Sequence, residues 1–125
     1  MRLLLDTHIF LWAVSAHPRL TPALRNRLAR AEAVYVSAAS LWEIAIKSRL
    51  GKIDGDPLAL VAAIEESGFQ ELSVSARHAA AVATLPLHHA DPFDRLLIAQ
   101  AFTEPLHLLT ADQAFAAYGG AITVL

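Results

Sequence analysis

The sequence contains no cysteine, and this absence removes several kinds of structure and chemistry. Disulfide bonds and thiolate metal sites are excluded, so any bound metal must be held by oxygen or imidazole ligands. The chain also lacks an apolar run close to the roughly 20 residues that a membrane-spanning helix requires. Asp6 interrupts the first apolar run before it can form a signal peptide. These absences predict a soluble, cytoplasmic protein.

Charge of either sign is modest. Ten Lys and Arg against twelve Asp and Glu give a formal net charge of −2, which alone does not favour an RNA partner. If four of the twelve acids bind cations, however, eight remain against ten bases and the rest of the surface is slightly basic. The hydrophobic fraction of 55% predicts extensive burial and an apolar patch for a partner. The length of 125 residues predicts one domain, 1–125.

Short apolar segments alternate with helical ones along the chain. The predicted strands are 2–5, 34–36, 69–74, 106–109 and 122–125. The predicted helices are 9–15, one opening at Thr21-Pro22, about 40–50, 57–67, one from Ser75 that ends before Pro86, 93–103, and a short one opened by Asp112. This alternation predicts an α/β/α sandwich with a short central parallel sheet. In such sheets ligands bind beyond the carboxyl ends of the strands.

Four acids are predicted to lie at that edge or at the helix starts beside it. Asp6 and Asp112 follow strands, whereas Glu43 and Asp94 occupy the first turns of helices. Helix capping and the helix dipole explain an acid at any one of these positions without a function. For Asp6 and Asp112 that interpretation remains open.

Glu43 and Asp94 are harder to explain as structural residues. Asp94 shares a helix face with residues that should pack on the sheet, and Glu43 lies in a largely apolar helix. A pair between Glu43 and Lys47 contributes only about 0.2–0.5 kcal/mol, too little to explain a buried carboxylate. Four carboxylates at one edge require a cation between them, and oxygen ligands favour Mg²⁺ or Mn²⁺ over zinc. Such a site suits phosphodiester hydrolysis.

Four segments carry these acids in order: 3–8, 40–47, 91–101 and 109–112. Their residues and spacing resemble the successive motifs of PIN-domain proteins along nearly the whole chain. The chain is most similar to the small VapC-type toxins of type II toxin-antitoxin systems. The resemblance implies a Mg²⁺-dependent endoribonuclease, an RNA substrate and a cognate antitoxin, and we also expect a homodimer. It implies that the metal-binding and catalytic acids are Asp6, Glu43, Asp94 and Asp112.

Other residues near these motifs have possible supporting roles. Thr7 and Thr110 are expected to place hydroxyls near the site, and Arg95 is the best candidate for a phosphate contact. Asp91 is either an auxiliary ligand or the N-cap of the helix that begins with Pro92. Many PIN nucleases carry a further acid soon after the last one; none closely follows Asp112 here, which leaves the number of metal ions open.

The remaining polar and aromatic residues give weaker signals. Of the six histidines only His8 is predicted to lie near the site, and none has the spacing of a helical metal pair. Basic side chains that either contact RNA phosphates or cover solvated helix faces are Arg25, Arg27, Arg30, Lys47, Arg49 and Lys52. The large aromatic side chains expected in the core rather than in base stacking are Trp12, Trp42 and Phe93.

Three other functions are compatible with parts of this pattern. A phosphotransfer receiver also clusters acids at a parallel sheet edge, but the chain lacks a convincing acidic pair after its first strand. A haloacid-dehalogenase-type phosphatase needs a second Asp two residues after Asp6, where His8 stands. A non-catalytic protein-binding module, whose acids only cap helices, would explain the high apolar fraction.

Overall fold

Five short strands form one parallel sheet in the computed structural model, which describes residues 1–125. The strands are β1 (Arg2–Leu5), β2 (Ala33–Ser37), β3 (Gln70–Leu72), β4 (His107–Thr110) and β5 (Ile122–Val124). Their order is β3-β2-β1-β4-β5, with every neighbouring pair parallel. The first strand of the chain therefore lies in the middle of the sheet, and both the α/β class and the parallel sheet are confirmed.

Helices cover both faces of this sheet. The α-helices are α1 (Thr7–Ser15), α2 (Pro22–Arg30), α3 (Ala38–Arg49), α4 (Pro57–Glu66), α5 (Ala76–Ala81) and α6 (Pro92–Thr103). Two 3₁₀ helices, Val82–Thr84 and Gln113–Tyr118, complete the connections. None of the helices has both the length and the apolar character needed to span a bilayer.

The alternation of side chains along β1 divides the core into two layers. Leu3 and Leu5 pack on one face with residues of α1, α2, α3 and α4, whereas Leu4 packs on the other face with residues of α6. All three leucines are buried, because a parallel sheet is covered on both sides. Because β1 and β4 are parallel neighbours, their carboxyl ends lie side by side at one edge of the sheet.

Two helices begin earlier than the sequence predicted, for the same physical reason. The helix expected from residue 9 begins at Thr7 because Asp6 caps it, and the helix expected from about residue 40 begins at Ala38 because Ser37 caps it. Ser40, the expected start, lies buried in the first turn of α3. Gly51 has φ +72°, a left-handed conformation that ends α3 as predicted.

Candidate active site

Asp6 lies at the carboxyl end of β1, with only 5% of its surface exposed. Its Oδ1 accepts a hydrogen bond from the N–H of Ile9 at 2.9 Å, which caps α1. Its Oδ2 accepts a hydrogen bond from the Thr110 hydroxyl at the end of β4. Burial raises the pKa of Asp6, and the two hydrogen bonds oppose that shift. Both oxygens are thus oriented by donors on neighbouring elements.

Glu43 lies on the inner side of α3 and is 3% exposed. The Thr7 hydroxyl donates to its Oε1 at 2.7 Å and lies 3.0 Å from the Ser40 hydroxyl oxygen. Lys47, one helical turn later, places its Nζ 2.5 Å from Oε2. The hydrogen bond to Glu43 raises the pKa of Lys47. We call Asp6 and Glu43 the inner pair, because both carboxylates are buried and already have protein donors.

Asp94 and Asp112 form a second pair with different surroundings. Asp94 lies in the first turn of α6, but the cap is supplied by Asp91, whose Oδ1 accepts from the N–H groups of Phe93 and Asp94. Asp112 caps the 3₁₀ helix after β4 through the N–H of Ala114. We call Asp94 and Asp112 the outer pair, since their side chains are 20% and 49% exposed.

The pKa of Asp94 is raised from 3.8 to about 7. The largest cause is burial, followed by repulsion from Asp91 and Glu43, whereas His89 opposes the shift. Asp6 adds a smaller repulsion. The structure therefore brings the inner pair, Asp91 and Asp94 within electrostatic reach of one another, and the uncompensated charge falls mainly on Asp94.

His89 joins the two members of the outer pair, a contact that the sequence did not predict. Its Nε2 lies 2.9 Å from Oδ2 of Asp94 and 3.7 Å from Oδ2 of Asp112. One potential ligand atom from each residue lies within 4.8 Å of the others. His89 is in a loop without periodicity, so its only sequence signal is its place two residues before Asp91-Pro92.

Arg95 and Tyr118 hold the loop that carries His89. The guanidinium of Arg95 donates to the backbone carbonyls of Pro86 and Val82 at 3.0 Å each, with longer contacts to the Tyr118 hydroxyl and two other carbonyls. The Tyr118 hydroxyl accepts from the N–H of His89 at 3.0 Å and donates to Pro86 O at 2.8 Å. These contacts favour a structural role for Arg95 over the phosphate contact expected from the sequence.

The other residues singled out by the sequence lie in varied places. The expectation that Trp42 belongs to the core is wrong, since it is 60% exposed and meets Phe93 edge-on at 4.9 Å between ring centroids. Trp12 does pack against the core. Arg27 lines two cavities beside α2, of about 450 and 550 Å³. His8 is exposed and close enough to lower the pKa of Asp6 slightly.

The donor set fits a divalent cation. Asp6 and Glu43, from β1 and α3, lie within electrostatic reach of Asp94 on α6, and together with burial and Asp91 they raise its pKa. His89 links Asp94 to Asp112, in the segment after β4. The buried Nε2 of His89 also has no hydrogen-bond partner, although it lies 2.9 Å from an oxygen of Asp94. A cation between these groups would satisfy both the charges and the nitrogen.

The sequence model of the PIN-domain family matches residues 3–121, which is nearly the entire chain. The chain belongs to the PIN-domain family. A comparison with curated proteins found no match. The matched PIN region contains all four acids of the inner and outer pairs.

Solved structures resemble this PIN domain over 94–100% of its length. The alignment with VapBC2 from Rickettsia felis bound to promoter DNA covers 100% of this chain and 98% of the matched chain, with a TM-score of 0.71 and 18% identity. DNA-bound VapBC from Salmonella typhimurium gives a TM-score of 0.72 at 17% identity, covering 100% and 97%. VapC20 from Mycobacterium tuberculosis, a toxin that cleaves the sarcin-ricin loop, gives 0.57 at 19%, covering 94% and 95%. At such identities the likeness shows the fold alone.

Proposed function

We propose that this PIN-domain chain is a Mg²⁺-dependent endoribonuclease, with residues 1–125 forming one nuclease domain that acts on RNA in the cytoplasm. The observation that carries the proposal is the group of acids at the sheet edge: Asp6 and Glu43 contribute to the raised pKa of Asp94, and His89 links Asp94 to Asp112. Mn²⁺ is a possible substitute for Mg²⁺. The ribonuclease VapC20, which has the same fold, supports this choice of substrate class.

Each side chain in the site has a separate task in this proposal. When bound, Mg²⁺ lowers the pKa of water and stabilises negative charge that develops on a phosphodiester. Asp94 and Asp112 would hold the cation, and the inner pair would complete its oxygen ligands. Thr110 and the N–H of Ile9 keep Asp6 in one orientation. Thr7 and Lys47 do the same for Glu43.

The structural alternative for Glu43 does not account for its surroundings. Its pair with Lys47 exists, but a partly exposed pair of this kind contributes roughly 0.2–1 kcal/mol. Burying an ionised carboxylate costs several kcal/mol unless other groups compensate. The Thr7 hydroxyl supplies part of that compensation. A bound cation would supply the rest, which supports the metal-site proposal over simple helix stabilisation.

The test is RNA cleavage by chain purified without any partner. We expect total cellular RNA to be cut at mapped internal positions with Mg²⁺ or Mn²⁺, and to stay intact in EDTA. Glu43→Gln, which keeps the side chain's size, is the matched control against a contaminating nuclease. Cleavage that persists in chelator, or in Glu43→Gln, contradicts the metal mechanism. Metal binding without any hydrolysis would favour the non-catalytic binding module.

We also propose that the chain is the toxin of a toxin-antitoxin pair and forms a homodimer. Three apolar side chains on one stripe of α3 and its C-cap residue support a protein partner: Trp42, Ile46 and Leu50 are 60%, 39% and 62% exposed. The similar chains from Rickettsia and Salmonella come from VapBC complexes. The partner is expected to cover this stripe and to place a basic side chain at the acids, where it competes with metal.

Co-expression with the product of the neighbouring small open reading frame tests this second part. We expect a stable complex that does not cut RNA, and we expect Trp42→Ser to weaken the complex while the free chain still cuts RNA. Leu87→Ser is the matched control, because Leu87 is 80% exposed but lies outside α3. If no complex forms with the parent chain, the toxin assignment loses its main support even if RNA is cleaved.

A further inference from the structure

The imidazole of His89 is placed as a metal ligand would be. Its side chain is 18% exposed, but the Nε2 atom itself is buried and makes no hydrogen bond. That nitrogen nevertheless lies between two carboxylate oxygens, at 2.9 Å from Asp94 and 3.7 Å from Asp112. A buried nitrogen without a partner calls for an explanation, since most such atoms in folded proteins are satisfied.

The spacing of the three atoms is close to that of one coordination shell. Bonds of about 2.1 Å in an octahedral shell place adjacent ligand atoms about 3.0 Å apart and opposite ones about 4.2 Å apart. The contact of His89 with Asp94 matches the adjacent spacing, and all three atoms lie within 4.8 Å of one another. Small movements of these side chains would allow them to share one ion.

The loop around His89 restricts the position of the ring. The Tyr118 hydroxyl accepts hydrogen bonds from the backbone N–H groups of His88 and His89, and Arg95 ties the same loop to α6. The ring of His89 also meets Phe115 edge-on at 5.5 Å between centroids. A ligand held in this way loses little conformational freedom when a metal binds.

Nothing in the hydrogen bonding of the ring strongly opposes ligation through Nε2. Ligation requires the ring proton to reside on Nδ1, which then cannot accept from the N–H of Asp91. That contact is 3.5 Å long, at the outer limit for a hydrogen bond, so its loss costs little.

We propose that His89 is a nitrogen ligand of the metal site and makes the site prefer Mn²⁺ or Co²⁺ over Mg²⁺. The inference rests on the proposed function, because it concerns the same ion, but it changes the expected ligand set from oxygen alone to oxygen with nitrogen. Imidazole suits first-row transition ions, whereas Mg²⁺ favours oxygen ligands and retains its water. His89 therefore sets which cation the site selects.

The test measures metal binding directly, in the absence of RNA. Titration calorimetry with Mn²⁺ and with Mg²⁺ is performed on the parent, His89→Gln and His88→Gln. His88 is the matched control, because it is the neighbouring histidine and packs against Tyr118 rather than the acids. We expect His89→Gln to weaken Mn²⁺ binding by about 10–100-fold and Mg²⁺ binding by much less, with no change in His88→Gln.

Electron spin-echo measurements on the Mn²⁺-loaded protein detect nitrogen ligands of the ion directly, already in the parent chain. We expect coupling to one imidazole nitrogen, lost in His89→Gln and kept in His88→Gln. Mn²⁺ binding without nitrogen coupling, or unchanged or tighter Mn²⁺ binding in His89→Gln, overturns the inference and leaves the nuclease proposal intact. Tighter binding would mean that His89 competes with metal for the acids. A parent that binds no divalent ion overturns both proposals.

Discussion

The inner and outer pairs of acids lie at the same sheet edge, yet the protein treats them differently. Asp6 and Glu43 are almost fully buried, and each carboxylate receives donors from threonine hydroxyls, a backbone N–H or Lys47. Asp94 has no hydroxyl or amide donor to its side chain; its carboxylate contacts His89. The inner pair therefore has hydrogen-bond donors from the protein, whereas the carboxylate of Asp94 has only the contact with His89.

This difference shows which carboxylate carries the unfavourable electrostatic energy of the site. The pKa of Asp94 is raised to about 7, by burial and by the negative charges of Asp91 and Glu43. A protein optimised only for stability would replace or pair such a group, so the uncompensated acid points to a ligand that arrives later. The inner pair supplies carboxylates that are already oriented for that ligand, and Asp94 supplies the unmet charge that attracts it.

The largest expected effect comes from Asp94→Asn. We expect RNA cleavage to fall by more than about 100-fold, because a charged ligand is lost. In EDTA the variant should be more stable by on the order of 1 kcal/mol, since repulsion is relieved in a partly solvated group. This net figure includes the loss of the favourable interaction with the helix dipole, about 0.3–1 kcal/mol. Melting temperatures in EDTA and in excess Mg²⁺ measure both effects, and the variant should gain less from metal.

Asp56→Asn is the matched control for this experiment. Asp56 caps α4 through the N–H of Leu58 and belongs to neither pair of acids, so its neutralisation should leave cleavage and the gain from metal unchanged. An Asp94→Asn variant that melts with the parent in both buffers and still cuts RNA would show that Asp94 is only structural.

A substantial loss of stability is expected from Thr110→Val, which tests the inner pair. The Thr110 hydroxyl donates to Asp6 and accepts from the N–H of Asp112, and the residue is fully buried. Removing it leaves the buried Oδ2 of Asp6 without its donor, which costs about 1–3 kcal/mol, whereas Oδ1 keeps the N–H of Ile9. Urea unfolding at neutral pH provides the measurement. Thr103→Val, at the end of α6, controls for loss of a hydroxyl, and equal effects of the two changes would contradict the proposed role.

The outer pair also predicts how stability depends on pH in metal-free buffer. Because the folded-state pKa of Asp94 is about 7 against an ordinary 3.8, the folded protein binds the extra proton between these values. Stability is therefore greatest, as far as Asp94 is concerned, below about pH 4 and declines as the pH rises through 7. The shift of Asp6 has the same sign.

Urea unfolding in EDTA at pH 5 and pH 8 measures this decline, which should be on the order of 1 kcal/mol for a partly solvated group. In Asp94→Asn the dependence should be shallower, because the titrating carboxyl is gone. If the parent and Asp94→Asn show parallel pH profiles, charge on Asp94 is not the unmet charge of the site.

The smallest effect is expected from Lys47→Met, which removes the internal cation of the inner pair. Metal-free stability should fall by less than about 1 kcal/mol, because the amine is partly exposed. The gain in melting temperature from Mg²⁺ should increase, since Lys47 no longer competes for Oε2 of Glu43. Arg49→Met, on the same helix but exposed, is the control. A smaller gain from Mg²⁺ in Lys47→Met would mean that Lys47 assists metal binding instead.

Periodicity and strand-end position predicted the fold and most of the acid positions, because these follow from local rules. The acids after β1 and β4 lie where the pattern put them, and Glu43 is buried on α3 as expected. Glu43 lies in the second turn rather than the predicted first turn, because α3 begins at Ala38. His89 could not be predicted this way, since its position depends on contacts between its loop, Arg95 and Tyr118. The prediction that Trp42 is buried was wrong for a related reason. An apolar helix predicts burial, but the exposure of each side chain depends on which neighbours cover the helix.

The hydrogen bond between Thr110 and Asp6 joins residues 104 positions apart. β1 lies in the centre of the sheet, so its pairing with β4 must wait until residues 107–110 have been synthesised. A nascent chain on the ribosome therefore has neither a fixed Asp6 nor an Asp112 to complete the acid cluster. The proposed nuclease would stay inert until residue 112 has been translated, and a product truncated before that residue could not cut the messenger that encodes it.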